Sequence, residues 1–190
     1  MKDFLKVLDS EANAILKAKE NIDRLEVEKI IVELLNMKGK LIVIGLGKGG
    51  HIGKKLAASF SSMGTPSFFV HAAELFHGDF GMIEKDDVVL LISHSGSTKE
   101  VVYAAEKLRL DGNKLIALTA SKESKLSLIC DYKLNYGWFV EADHLNMAPS
   151  NTSTIMLAVG DALMISVSIK KGYTKSDFKT NHPGGSLGAK

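Results

Sequence analysis

The sequence predicts an α/β protein: a three-layer αβα sandwich built on a five-stranded parallel sheet, with a helical segment in front of it. Three observations carry this reading. Short apolar runs of strand length alternate along the chain with longer stretches of helical periodicity. The central runs are apolar at every position rather than at every second one, so both faces of their sheet must be covered. The alternation of strand with helix is itself the pattern of parallel strands joined by crossovers.

The elements follow in order. Residues 3–37 read as helix, because Phe4, Leu5, Leu8, Ala12, Ile15 and Leu16 recur at helical spacing. Leu25 opens a second run through Ile30, Ile31, Leu34 and Leu35, so residues 21–23 separate two helices. An amphipathic segment of this kind, outside the sheet, suits packing on a partner subunit or over the sheet itself. Residues 40–45 are the first strand and 48–63 the helix after it. Residues 67–70 form a second strand and 87–93 a third, followed by a helix over 98–110. Residues 114–119 are a fourth strand and 131–135 a weaker fifth. A long helix spans 152–170, with Gly172 to stop it.

Composition narrows the function. The 190 residues suffice for one domain and are too few for two ordinary ones. Hydrophobic residues make up 45% and charged residues 24%, a globular profile. The formal charge is +2, from 24 basic and 22 acidic residues, and the basic residues are scattered among acidic ones. A nucleic-acid binder would show a clustered basic excess. No stretch is read as reaching the roughly 18 apolar residues that a membrane span needs. The N-terminus is charged, without an apolar signal core. A cytoplasmic location is therefore expected. The single cysteine, Cys130, closes an apolar run from Leu126 and reads as a buried small hydrophobe rather than a nucleophile.

Ligands of doubly wound sheets bind at the carboxyl ends of the strands, so the loops after each strand are the informative ones. Gly45-Leu46-Gly47-Lys48-Gly49-Gly50-His51 follows the first strand. Its glycines fit a dinucleotide fingerprint, but the second strand ends Val70-His71-Ala72, without the acid that would hold a ribose. A phosphate-binding loop of the Walker type also fails, since His51 stands where lysine is required. What remains is a glycine-rich turn at a helix start, carrying Lys48 and suited to an anion. Ser93-His94-Ser95-Gly96-Ser97-Thr98 follows the third strand. A single hydroxyl residue there would be an N-cap, but four exceed what a cap uses. Gly47, Lys48, Ser93, Ser95, Gly96, Ser97 and Thr98 are the expected anion contacts. Glu100, in the next turn, reads equally well as a functional carboxylate or as a dipole-favoured one.

Ser93-His-Ser-Gly-Ser-Thr-Lys-Glu100 resembles the phosphate loop of the SIS (sugar isomerase) domain family. Gly45-Leu-Gly-Lys-Gly-Gly-His-Ile-Gly53, Gly64-Thr-Pro-Ser-Phe-Phe-Val-His71, His77-Gly-Asp79, Ala148-Pro-Ser-Asn-Thr-Ser-Thr154, Gly160-Asp-Ala162 and His182-Pro-Gly-Gly-Ser-Leu-Gly188 are similar to the D-arabinose 5-phosphate isomerase branch. The resemblance covers residue 40 onward. It implies a flavodoxin-like SIS domain over residues 1–190, with a helical segment at 1–38 and the core at 39–190. It further implies an aldose–ketose isomerase acting through an enediol, with no cofactor or metal, in a homotetramer supplying the lipopolysaccharide sugar Kdo.

By the same resemblance Lys48, His77, Glu100, Glu141 and His182 are the catalytic candidates. Glu141 is read as the base that carries a proton between C2 and C1, and Lys48 as stabilising negative charge. Glu100 would orient Lys48 or a histidine. His182 or His77 would exchange protons with sugar oxygens, His182 in some arrangements from a neighbouring subunit. Two features depart from the branch. Its members commonly continue into a tandem CBS pair, whereas this sequence stops at Lys190, and the loop carries His94 and Thr98 where relatives often have asparagine and other small polar residues. The alternatives are another SIS isomerase (phosphoheptose or hexulose phosphate), a non-catalytic sugar-phosphate sensor, and a dinucleotide-binding protein. The His-Pro-Gly-Gly ending disfavours the first, the lack of a recognition helix in residues 1–38 the second, and the missing acid the third.

Overall fold

The computed structural model of the chain describes residues 1–184. Helices α1 (Lys2–Asn21) and α2 (Arg24–Asn36) come first. The break between them is set by Asp23, whose carboxylate accepts from the Leu25 and Glu26 amides at 2.9 and 3.3 Å and so caps α2. Strands β1 (Leu41–Gly45), β2 (Ser67–His71), β3 (Val88–Ile92), β4 (Lys114–Thr119) and β5 (Tyr132–Asn135) then alternate with α3 (Gly47–Ser62), α4 (Lys99–Asp111) and α5 (Lys125–Ile129). Two short 3-10 turns, Glu74–His77 and Asp79–Met82, link β2 to β3. Helices α6 (Asn151–Lys170) and α7 (Lys175–Asn181) follow β5.

All five strands are parallel, in the order β2-β1-β3-β4-β5. This is the flavodoxin-like order, with its switch point between β1 and β3. Alternate residues of the central strands feed two separate cores. Leu41, Val43, Leu90, Ile92, Ile116 and Leu118 pack under α1, α2, α3 and α6. Ile42, Ile44, Val89, Leu91, Leu115 and Ala117 pack under α4 and α5. The strands are apolar at every position because each face meets a different layer of helices.

The elements expected from the sequence are all present, with ends shifted by a residue or two, and two helices are added. The apolar run ending at Cys130 is α5 with its C-cap, and residues 175–181 form α7 behind a Thr174–Asp177 capping box. Both are shorter than the window in which helical periodicity registers. One expectation is corrected. Helix α6, 20 residues with a mean hydropathy of 1.6 over its central window, is long and apolar enough to cross a bilayer. It is the inner helix of one layer instead. Ile155, Val159, Leu163 and Val167 are buried against α1, α2 and α3, which is why it is apolar nearly all round.

Gly160 sets the approach of α6 to α3, since a β-carbon there would collide with Leu56 Cδ1. Leu56 is itself fully buried and has nowhere to move. Gly160→Val is expected to destabilise the fold by about 2 kcal/mol, read from urea unfolding. Burial pushes the Cys130 thiol up to about 12, with Asp131 adding to the effect. Cys130 is accordingly expected to resist a thiol-specific disulfide reagent in the folded protein and to react fully once urea unfolds it.

Candidate active site

The carboxyl ends of β1 and β3 lie side by side, Gly45 in register with Ile92. The loops that leave them turn to opposite helical layers, and a cleft of about 500 Å³ opens between them. Lys48 and Gly49 of the first loop line it, with Ser93, His94, Ser95 and Thr98 of the second. Its far wall is the irregular segment after β5 and the start of α6, which contributes Trp138, Glu141, Asn146 and Thr152.

The first loop turns tightly because Gly45 and Gly50 back onto each other. A β-carbon on Gly45 would come within 3.1 Å of the Gly49 and Gly50 backbone. Lys48 is thereby set in the first turn of α3, exposed at the end of the helix whose dipole favours an anion.

The second loop is held from both sides. The Ala120 amide and the Thr119 hydroxyl donate to the His94 carbonyl at 2.9 and 3.0 Å, and the Leu126 amide donates to the Gly96 carbonyl at 3.0 Å. Gly96 has φ +61°, and a β-carbon there would collide with Ser124 Oγ. Within the loop Ser93 Oγ and Thr98 Oγ1 are 2.9 Å apart, and Ser97 Oγ donates to Ser95 Oγ at 2.9 Å. Thr98 occupies the N-cap position of α4 but makes no capping hydrogen bond with its side chain. Its hydroxyl is turned to Ser93 and the cleft, so capping does not account for it.

Glu141 sits in a cage of donors. Its carboxylate accepts from the Ser150 amide at 2.8 Å, the Ser150 hydroxyl at 3.2 Å, the Thr152 amide at 3.2 Å and the Thr152 hydroxyl. Burial alone would raise its pKa. The four hydrogen bonds, led by that of the Thr152 hydroxyl, outweigh burial and hold it below the ordinary carboxylate value. The segment around it is folded by Asp143, which accepts from the Leu145, Met147 and Ala148 amides at 2.9 Å each, and by Asn146, which accepts from the Glu141 amide at 2.7 Å.

Of the residues singled out from the sequence, Lys48, Ser93, Ser95, Thr98 and Glu141 thus meet in one cleft. Gly47, Gly96 and Ser97 shape the two loops without lining it. Glu100 is partly buried in the first turn of α4, and among the described residues it pairs with neither Lys48 nor a histidine. His77 ends a 3-10 turn after β2, exposed and away from the cleft. His182 is the C-cap of α7, with Pro183 and Gly184 in a turn directly after it. Its ring stacks on Phe178 at 3.9 Å, and Nδ1 donates to the Phe178 carbonyl at 2.8 Å. Of the glycine motif that follows it, residues 185–188 lie outside the described residues. Among the described residues His94 is the histidine that lines the cleft. Sequence reasoning noted His94 only as a departure, and it missed Trp138, Asn146 and Thr152. The block containing Thr152 was visible as a motif, but nothing local tied it to Glu141. Among the described residues no group of three His, Cys, Asp or Glu side chains is arranged to hold a metal ion.

The SIS domain family model matches residues 33–166, a span that takes in both loops, the carboxylate cage and most of α6. The chain is 49% identical over 155 residues to arabinose 5-phosphate isomerase KdsD of Pseudomonas aeruginosa, covering 82% of this chain and 48% of the relative. It is 39% identical over 181 residues to arabinose 5-phosphate isomerase KpsF of Escherichia coli, covering 95% of this chain and 55% of the relative. The chain spans about half the length of these curated relatives. Among solved structures, an E. coli CFT073 protein in complex with a sugar-phosphate ligand superposes with a TM-score of 0.87 at 44% identity, covering 96% of this chain and 98% of that one. The sheet order, the paired loops at its switch point and the extent of these matches converge: the chain belongs to the SIS domain family.

Proposed function

We propose that this chain is an aldose–ketose isomerase interconverting D-arabinose 5-phosphate and D-ribulose 5-phosphate through an enediol. The observation that carries the reading is one cleft lined by two chemically different sets of groups. A hydroxyl-rich loop fit for a phosphate and a donor-caged carboxylate, Glu141, line the same cleft. Relatives at 49% and 39% identity are named arabinose 5-phosphate isomerases, which supports the substrate.

In this reading Ser95, Thr98 and the amides of the loop bind the phosphate, and Ser97, which does not line the cleft, supports Ser95 through its hydroxyl. Glu141 removes the proton from C2 of the open-chain aldose, and the electron pair left on C2 forms the enediolate as charge moves to O1. The same carboxyl returns the proton to C1 while the O2 proton is lost and O1 is protonated, which yields the ketose with no net change in atoms. Lys48 offsets the charge on the enediolate oxygens. Glu100 shapes the start of α4 beside this site.

His77 and His182 stand off the cleft of their own chain, so a role for either in proton exchange at the sugar oxygens calls for a second copy. A homotetramer fits the sequence resemblance, and the exposed Phe4, Leu5, Leu8 and Leu16 on α1 support an association surface. By the same resemblance the reading extends to the supply of Kdo in the cytoplasm.

With D-arabinose 5-phosphate in D2O, the protein is expected to form D-ribulose 5-phosphate carrying solvent deuterium at carbon, observed by proton NMR. Glu141→Gln should lower the rate by at least about a thousandfold. Tight sugar-phosphate binding without turnover would instead favour a sensor. The cage makes a second prediction. Thr152→Val removes the leading donor to the ionised form, so the Glu141 carboxyl should titrate at higher pH, followed through its carboxyl carbon resonance. Because the native carboxyl is held low, it stays ionised as pH falls, and the variant should lose activity at a higher pH than the wild type does.

A further inference from the structure

His94 belongs by sequence to the hydroxyl-rich loop and by position to the wall that carries Glu141. Its Nδ1 lies 2.9 Å from the Tyr136 hydroxyl, and its ring stands edge-on to Trp138 at 4.7 Å between centroids. Tyr136 is fully buried, and among the described residues His94 is the hydrogen-bond partner of its hydroxyl. That arrangement selects a tautomer. If Nδ1 carried the proton, the tyrosine O–H would be a buried donor without an acceptor, which is costly; if the tyrosine donates to Nδ1, only a lone pair goes unused. The imidazole therefore keeps its hydrogen on Nε2. Nδ1 faces the interior, so Nε2 is the nitrogen left for the cleft. Burial lowers the pKa of His94 and favours the neutral ring, against a smaller opposing pull from Glu141.

We infer that His94, held by Tyr136 and Trp138, is a further substrate-contacting residue that donates its Nε2–H to a non-phosphate oxygen of the open-chain sugar beside Glu141. The inference rests on the isomerase reading above. The chemistry asks for such a donor. The serine and threonine hydroxyls next to His94 occupy the phosphate end, whereas the charge that faces it is the Glu141 carboxylate, whose substrate atoms are the carbon and oxygens of the enediol. A neutral imidazole can donate to a carbonyl or enediolate oxygen without competing with Lys48 as a cation. Tyr136 is then a positioning residue, since it acts only through the ring.

Two substitutions separate this role from a structural one. In His94→Asn the amide can replace Nδ1 and still accept from Tyr136, but nothing remains at the Nε2 position. In His94→Gln the amide reaches the Nε2 position and the tyrosine contact is lost. With D-arabinose 5-phosphate as substrate and the full chain as enzyme, Asn is expected to lower kcat/KM about tenfold or more, while Gln, which keeps a donor at the Nε2 position but leaves the Tyr136 hydroxyl unpaired, retains at least about threefold more activity than Asn. Inhibition by inorganic phosphate should stay within about twofold in both variants, because the hydroxyls and amides of the loop are unchanged. Asn performing as well as Gln would overturn the proposal, as would a parallel loss of phosphate inhibition, which would put the contact on the phosphate. If either variant fails to fold, the wild type still decides. Long-range nitrogen–proton NMR should show His94 protonated at Nε2, with that resonance moving on addition of D-arabinose 5-phosphate and not of inorganic phosphate. A proton on Nδ1, or an unmoved resonance, would reject the assignment. A wild type that does not turn over D-arabinose 5-phosphate at all removes the isomerase reading first, a result distinct from active wild type with unaffected variants.

Discussion

The parallel pairing of β1 with β3, Leu41 opposite Val88 through to Gly45 opposite Ile92, is the contact on which the site depends. It brings the ends of two strands within a strand spacing, about 4.8 Å, of each other. The chains leaving them then part, α3 to one layer and α4 to the other. Neither strand has a free face for polar groups, because each alternate side chain enters one of two apolar cores. Polar chemistry is forced to the strand ends, and there the fork between α3 and α4 leaves room for a small ligand. At the two helix starts that border the fork the N-cap side chains make no capping hydrogen bond.

The two sets of polar groups that line the cleft are built by different means. The hydroxyl-rich loop is short and rigid, held by backbone hydrogen bonds from β4 and α5, so its donors are preorganised before any anion arrives. Glu141 lies in a long irregular segment with no strand or helix to hold it. That segment is closed by its own side chains, Asp143 accepting from the Leu145, Met147 and Ala148 amides and Asn146 from the Glu141 amide, while Ser150 and Thr152 at the start of α6 cage the Glu141 carboxylate. Burial and hydrogen bonding act on this carboxylate in opposite directions, and the hydrogen bonds prevail. The cleft thus contains a carboxylate without the neutralisation that burial would otherwise cause. In the proposed reaction the same hydrogen bonds would make it a weaker base than a free carboxylate, so a preorganised donor on the sugar oxygens becomes more valuable.

The fold was legible because its signals are local. Apolar runs marked the first four strands and helical spacing the long helices, β5 gave a weaker signal because only Tyr132 and Leu134 in it are apolar, and β4 runs from Lys114 to Thr119 as its sequence suggests. Helices α5 and α7 escaped because five and seven residues carry too few turns for a periodic pattern. The apolar character of α6 was underweighted because its small residues interrupt the run, although packing buries the same face that a bilayer would.

The sequence by itself determined the strand–helix alternation, the two loops rich in glycine and hydroxyl groups, and the side of the sheet on which they lie. All of these follow from residue type and spacing within a few positions. The tertiary structure alone decided which polar groups share a cleft. Tyr136 and His94 are 42 residues apart in the chain, and the Thr152 hydroxyl that tunes Glu141 is 11 residues from it across an irregular loop. It also separated His77 and His182 from the cleft of their own chain, though their motifs had suggested a common site. Hydrogen bonds of that kind depend on where the backbone returns after a crossover, and a linear pattern of residues carries no record of that geometry.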